Sequence, residues 1–196
     1  MRAIEKAYYD KRAPEYDDWW LGTGRFAERD RPGWDDDVAH LLEVLRGLPP
    51  ATTLDVACGT GFLTRHLPGE VTLLDQSEAM LTIARERLAG AESVRADIPP
   101  LPFPDGRFDR VFTSHFYGHL REDDRTTFVT EARRVARELI VVDAGGGDRE
   151  EVQQRVLNDG SRHEVYKRWF SGATLAAEVG GEVVHEGDWF VVVRAS

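Results

Sequence analysis

The chain holds a single cysteine, Cys58, so it can form no internal disulfide and no cysteine-rich zinc site. No apolar stretch approaches the length of a membrane span. The opening "MRAIEKAYYDKRAPEYDDWW" is charged throughout and lacks the apolar core of a signal peptide. Cations are also in deficit: 25 Lys and Arg stand against 35 Asp and Glu, a net charge of -10. A broad nucleic-acid face needs basic residues to displace counterions, so that partner is disfavoured. Lysine is scarce beside arginine, which reads as coding bias rather than function. Repeats and low-complexity segments are missing too. A cytoplasmic protein without a membrane or nucleic-acid partner is the resulting expectation, with oligomeric state left open.

What is present fits one α/β domain. The 196 residues, 41% hydrophobic and 31% charged, suffice for one sizeable core. Val38, Leu41, Leu42, Leu45 and Leu48 repeat at helical spacing from Trp34 until Pro49-Pro50 stops them. Short apolar runs then alternate with helical patterns. "TLDVA", "VTLLD", "SVRAD", "FDRVFTS" and "ELIVVDA" read as strands. Gly61 to Leu67 reads as opening a helix, and Ser77 as the N-cap of "EAMLTIARERL". "DRTTFVTEARRVAR" and "SGATLAAEVG" read as further helices, and "GEVVHEG" with "DWFVVVRA" as a closing hairpin. The pattern predicts an α/β, doubly wound, Rossmann-like fold: a mostly parallel seven-stranded sheet with an antiparallel C-terminal edge hairpin.

The segment "TLDVACGTGFLTRHL" carries the chemistry. Gly59 and Gly61 lack a Cβ, so a ligand can approach main-chain N–H groups at the start of the following segment. A dinucleotide fingerprint would place a third glycine at position 64, which is Thr64. Three acids follow strands: Asp55, Asp75 and Asp97. An acid after the second strand suits a ribose diol, and one after the third suits an exocyclic amine such as adenine N6. Asp55 can hold an ammonium group. Any single acid could instead cap a turn; three at strand ends favour a shared crevice. S-adenosylmethionine has an amino-acid end, a ribose and an adenine.

The chain resembles the class I S-adenosylmethionine-dependent methyltransferases, of the small-molecule kind related to quinone-biosynthesis enzymes. "LDVACGTG" resembles the family's first motif, "VTLLDQSEAML" its second-strand region, and "RADIPPLPFPDGRFDRVFTSHFYGHL" its third- and fourth-strand region. "YDKRAPEYD" matches an N-terminal Tyr-Asp-x-x-Ala-x-x-Tyr-Asp pattern. Residues 147–172 match least, and Ala57 stands where the family usually has glycine. The resemblance implies that the backbone at Ala57 and Gly59 approaches the methionine moiety. It also implies that Asp75 binds the ribose, with Gln76 beside it, and that Asp97 meets adenine N6. Ile98 would pack on the ring, Ser114 would lie near the amino group, and Tyr16 near the methionine end. The implied reaction is methyl transfer to a small-molecule acceptor, with S-adenosylhomocysteine as product.

Such a transfer needs a base only if the acceptor must lose a proton. His115 and His119 in "SHFYGHL" are the candidates, with Tyr117 a pocket wall. Cys58 has no evident partner histidine, so it is not read as a nucleophile. No metal site is expected; Asp35, Asp36 and Asp37 read as an acidic first turn. One methyltransferase domain over 1–196 is expected. Its core spans 34–196, with residues 1–33 as an aromatic lid and 147–172 as a possible second lid. Within the latter, "NDGSRHEVYKRWF" offers an aromatic and basic set that suits either an anionic or aromatic acceptor or a solvated surface. Two alternatives are a binding protein of the same fold without methyl transfer and a nicotinamide-dependent oxidoreductase.

Overall fold

A computed structural model describes residues 3–196. Its frame is a seven-stranded sheet built in the order β3-β2-β1-β4-β5-β9-β8. The members are β1 (Ala51–Val56), β2 (Gly69–Asp75), β3 (Glu92–Arg95), β4 (Phe108–Ser114), β5 (Ala136–Ala144), β8 (Glu182–Glu186) and β9 (Phe190–Ala195). Strands β1 to β5 run parallel, whereas β9 pairs antiparallel with both β5 and β8. The expected sheet and its antiparallel edge are therefore both present.

Central strands are apolar because both faces are covered. Leu54 and Val56 of β1, Val111 and Phe112 of β4, and Val141 and Val142 of β5 are fully buried. Helix α5 (Glu122–Val135) adds Phe128, Ala132 and Val135 to the core on one face. Helix α3 (Trp34–Arg46) adds Trp34, Leu41 and Leu45 on the other. Asp37 does more than complement the α3 dipole: its carboxylate accepts the N–H groups of Trp189 (2.7 Å) and Phe190 (3.2 Å) and pairs with His185. It pins α3 to the closing hairpin.

Two segments depart from the sequence pattern. After the glycine turn the chain makes one 3-10 turn, Thr64–His66, and no helix. Gly69 already pairs with Ala51 at the start of β2, which leaves room for nothing longer. Residues 149–169 form a separate antiparallel hairpin, β6 (Arg149–Val156) with β7 (Arg162–Trp169).

The N-terminal strap packs across the carboxyl ends of the parallel strands. It contains α1 (Ala3–Arg12), a 3-10 turn at Ala13–Glu15 and the short α2 (Asp18–Leu21). Of the expected lid 1–33, residues 1 and 2 lie outside the described residues. The remaining helices are α4 (Glu78–Arg87), capped by Ser77 Oγ accepting from Met80 N at 3.2 Å, and α6 (Gly172–Val179).

Candidate functional site

Strand order reverses between β1 and β4, and ligands of such sheets bind outside the strand ends at that point. Here β1 runs into Ala57 and β4 into His115, and both take left-handed backbone angles, φ +58° and +53°. Non-glycine residues rarely adopt that conformation, and strain of this kind collects at functional sites.

Two cavities meet there. The narrow one is lined by Tyr9, Tyr16, Ala57, Gly59, Asp75, Gln76, Met80, Ile98, Ser114, His115 and Phe116. The broad one, about 1090 Å³, lies between the strap and the β6–β7 hairpin. Tyr9, Tyr16 and His115 line both.

In the narrow pocket, Asp75 ends β2 and its carboxylate accepts the N–H groups of Gly59 (2.9 Å) and Ser77 (2.8 Å). Burial lifts its pKa to about 6, against the opposing pull of those N–H donors. Gly59 has φ +55°, and a Cβ there would lie 3.4 Å from the Tyr16 ring. That distance is ordinary contact, so the positive φ rather than crowding by the strap is what favours glycine here.

Seven cofactor candidates thus divide from three others. Tyr16, Ala57, Gly59, Asp75, Gln76, Ile98 and Ser114 line the narrow pocket, and the catalytic candidate His115 borders it. Asp55, Gly61 and Asp97 do not line it. Asp55 is buried within β1, where it accepts the Thr64 hydroxyl and burial raises its pKa to about 8. Asp97 sits exposed on the loop after β3. Gly61 acts in packing: a Cβ there would come within 2.7 Å of Leu88 Cδ1. Thr64, where a dinucleotide fingerprint wants glycine, is buried and committed to Asp55.

Both candidate bases line the broad cavity. His119 Nδ1 is 2.6 Å from the Tyr166 carbonyl oxygen, so it donates there and Nε2 keeps the lone pair. His115 Nε2 is buried without a hydrogen-bond partner. Its ring packs edge-on to Trp19, with centroids 5.0 Å apart. Burial, then the charge of Lys167, lowers the His115 pKa to about 4. Burial likewise holds His119 well below its ordinary value. Both imidazoles are neutral at pH 7. Burial raises the Cys58 thiol pKa, which keeps it protonated and unreactive.

The comparisons with known proteins agree with this geometry. The profile of a family described as "Methyltransferase domain" matches residues 54–139. A demethylmenaquinone methyltransferase from Thermotoga maritima is 36% identical over 101 residues, covering 49% of this chain and 43% of the relative. The chain spans less than half the length of the curated relatives it matches. The solved structure of DhpI in complex with SAH superposes with a TM-score of 0.78 at 28% identity, covering 97% of this chain and 95% of that one. The chain thus resembles S-adenosylmethionine-dependent methyltransferases both in the matched domain and in its fold. A Burkholderia thailandensis 1,6-didemethyltoxoflavin-N1-methyltransferase shares the fold, with a TM-score of 0.60 at 18% identity, covering 100% of this chain and 90% of that one.

Sequence reasoning missed several residues of this site. Arg12, at an unspecified position of the N-terminal pattern, and Gln153 and Arg155, outside any motif, line the broad cavity. In β7, strand alternation explains which residues reach it: Lys167 and Trp169 do. Lys167 faces inward and pairs with Asp143, whose other oxygen accepts from Gly118 N at 2.7 Å. Its neighbours Tyr166 and Arg168 face the other way and bond Glu150 and Glu178.

Proposed function

We propose that this chain binds S-adenosylmethionine in the narrow pocket and transfers its methyl group to a small-molecule acceptor in the broad cavity. The observation that carries this reading is the junction at Tyr9, Tyr16 and His115, where a pocket at the sheet's switch point opens into a separate room. The residues present fit the cofactor. Asp75 offers a buried carboxylate for a diol, the Ala57–Gly59 turn offers close backbone approach, and Ile98 with Met80 offers apolar walls. Tyr9 and Tyr16 line that narrow space, and we infer that the strap lifts to admit a nucleoside and closes behind it.

When bound, the cofactor supplies a methyl group on a sulfonium, whose departure leaves a neutral thioether. The protein's own task is alignment and exclusion of water. Trp19 and Trp20 line the broad cavity, with Trp20 stacked on Phe62 at 4.9 Å and on Phe190 at 5.5 Å. They wall the transfer point from solvent. Where the acceptor carries a proton, neutral His115 or His119 accepts it at Nε2.

A small acceptor suits the cavity's volume, and the matched relatives include demethylmenaquinone methyltransferases. We further infer a cytoplasmic setting, which the free, buried thiol of Cys58 suits. Among the described residues no helix is long and apolar enough to cross a membrane. The test is a product screen: pooled candidate acceptors incubated with methyl-labelled S-adenosylmethionine and read by mass. A labelled product supports the reading. Cofactor binding with no labelled product from any pool would favour a binding protein of the same fold.

A further inference from the structure

The broad cavity is positive in a negative protein. Arg12, Arg25, Arg29, Arg149, Arg155 and Lys167 line it against two carboxylates, although the chain carries a net charge of -10. Three of the six have visible partners, and Arg12 lies over the Tyr8 and Tyr16 rings. Lys167 is paired with Asp143, Arg149 caps the Gly146 carbonyl and lies over the Trp169 ring, and Arg29 lies over Trp189.

Arg12 and Arg155 differ. They come from segments 143 residues apart, yet both donate to one phenol oxygen, Tyr8 Oη, at 2.6 and 3.4 Å. Among the described residues neither has a carboxylate partner. Arg12 Nε is buried and has no hydrogen-bond partner. Arg155 rests its remaining donors on the neutral amide oxygen of Gln153, at 2.9 and 3.2 Å. Two half-buried guanidiniums held on a neutral hydroxyl repel one another and leave donors unused. The Arg155 charge also reaches Tyr9, Tyr16, His115 and His119, the side chains around the transfer point. An oxyanion between the two forks would complete their hydrogen bonds and cancel the repulsion.

We propose that the acceptor carries an oxyanion, carboxylate or phosphate-like, held by Arg12 and Arg155 over Tyr8, with its nucleophilic atom directed to His115 and Tyr16. This rests on the methyltransferase reading of the same site. It makes the hairpin, through Arg155, the element that selects the acceptor by charge.

The test uses the fluorescence of Trp19 and Trp20 with S-adenosylhomocysteine present, titrating inorganic phosphate or acetate against chloride at matched ionic strength. A saturable response to either anion beyond the chloride control is expected. Arg155→Gln should weaken that response by about tenfold or more, with Arg155→Lys intermediate and S-adenosylhomocysteine affinity within about twofold of wild type. Response to phosphate alone assigns a phosphate-like group, response to acetate alone a carboxylate, and response to both the shared oxyanion chemistry. Wild-type indifference to both anions, measurable even if the variants fail to fold, overturns the inference. So does an unchanged response in Arg155→Gln. Failure to bind S-adenosylhomocysteine would instead strike the methyltransferase reading.

Discussion

The Nδ1 of His119 donates to the Tyr166 carbonyl across 2.6 Å, which ties the residues after β4 to the β6–β7 hairpin and leaves Nε2 as the acceptor. With the unpartnered Nε2 of His115, the cavity thus contains two neutral imidazole acceptors. If one of them takes a proton, His115→Ala or His119→Ala should lower turnover by about 100-fold or more, the usual contribution of a positioned base. Cofactor affinity should change far less. The His115 pKa is depressed to about 4, so the neutral form persists through acid pH. At saturating cofactor the rate should hold from pH 8 to about 6 and fall only as pH approaches 4. Loss of activity near pH 6.5 in the free enzyme would assign the proton transfer to an ordinary exposed group.

Asp75 supports a second expectation. Its carboxylate is buried beside the glycine turn, so Asp75→Ala should weaken S-adenosylhomocysteine binding by about 1–3 kcal/mol, the cost of unpairing buried polar groups. Because burial raises its pKa to about 6, wild-type affinity should also decline as pH falls below that value and the acceptor becomes a neutral acid. Unchanged calorimetric affinity in the variant would remove the ribose role.

Ala57 holds φ +58°, a conformation in which an L side chain is strained and glycine is not. Relief of that strain should exceed the added freedom of the unfolded chain, so Ala57→Gly should stabilise the fold by about 0.5–1 kcal/mol. In a chain of this size that is a rise in Tm of about 1–4 °C. A lower Tm by calorimetry would show that the Ala57 methyl earns its place by packing.

The strap is fastened to the glycine turn through Asp17, which pairs with Arg87 at 2.5 Å and accepts the Thr60 hydroxyl at 2.6 Å. The pair is partly exposed, so its loss should cost about 1 kcal/mol or less globally. Local opening should change more. Asp17→Ala should speed amide exchange over residues 7–21 while leaving the core strands protected. Unaltered exchange in the strap would show that Tyr16 and the tryptophans hold it alone.

How far the sequence revealed this arrangement depended on whether a feature was local. The buried strands were legible because Leu54, Val56, Val111 and Val141 fall in short apolar runs. Ser77 was legible as a cap because a hydroxyl directly preceded a helical pattern. The β6–β7 hairpin was not, because "REEVQQRV" and "RHEVYKRW" carry charge on both faces and offer little apolar alternation. The turn at Thr64–His66 read as a helix from its residues, but the early return into β2 cut it to one turn.

The same distinction governs the site. Asp75, Gln76, Gly59, Ile98 and Ser114 sit at strand ends that the motifs mark, and they line one pocket. Asp55 lies one residue before the end of β1 and points to Thr64. Sequence spacing could not show which way that side chain turns. Arg12 falls at an unspecified position of its motif and Arg155 in none, and the two meet only through the fold.

The most direct test of the central claim is calorimetric titration with S-adenosylhomocysteine, with a nicotinamide dinucleotide as control. The account predicts one-site binding of S-adenosylhomocysteine, weakened in Asp75→Ala, and no heat from the dinucleotide. Binding of the dinucleotide with indifference to S-adenosylhomocysteine would contradict it.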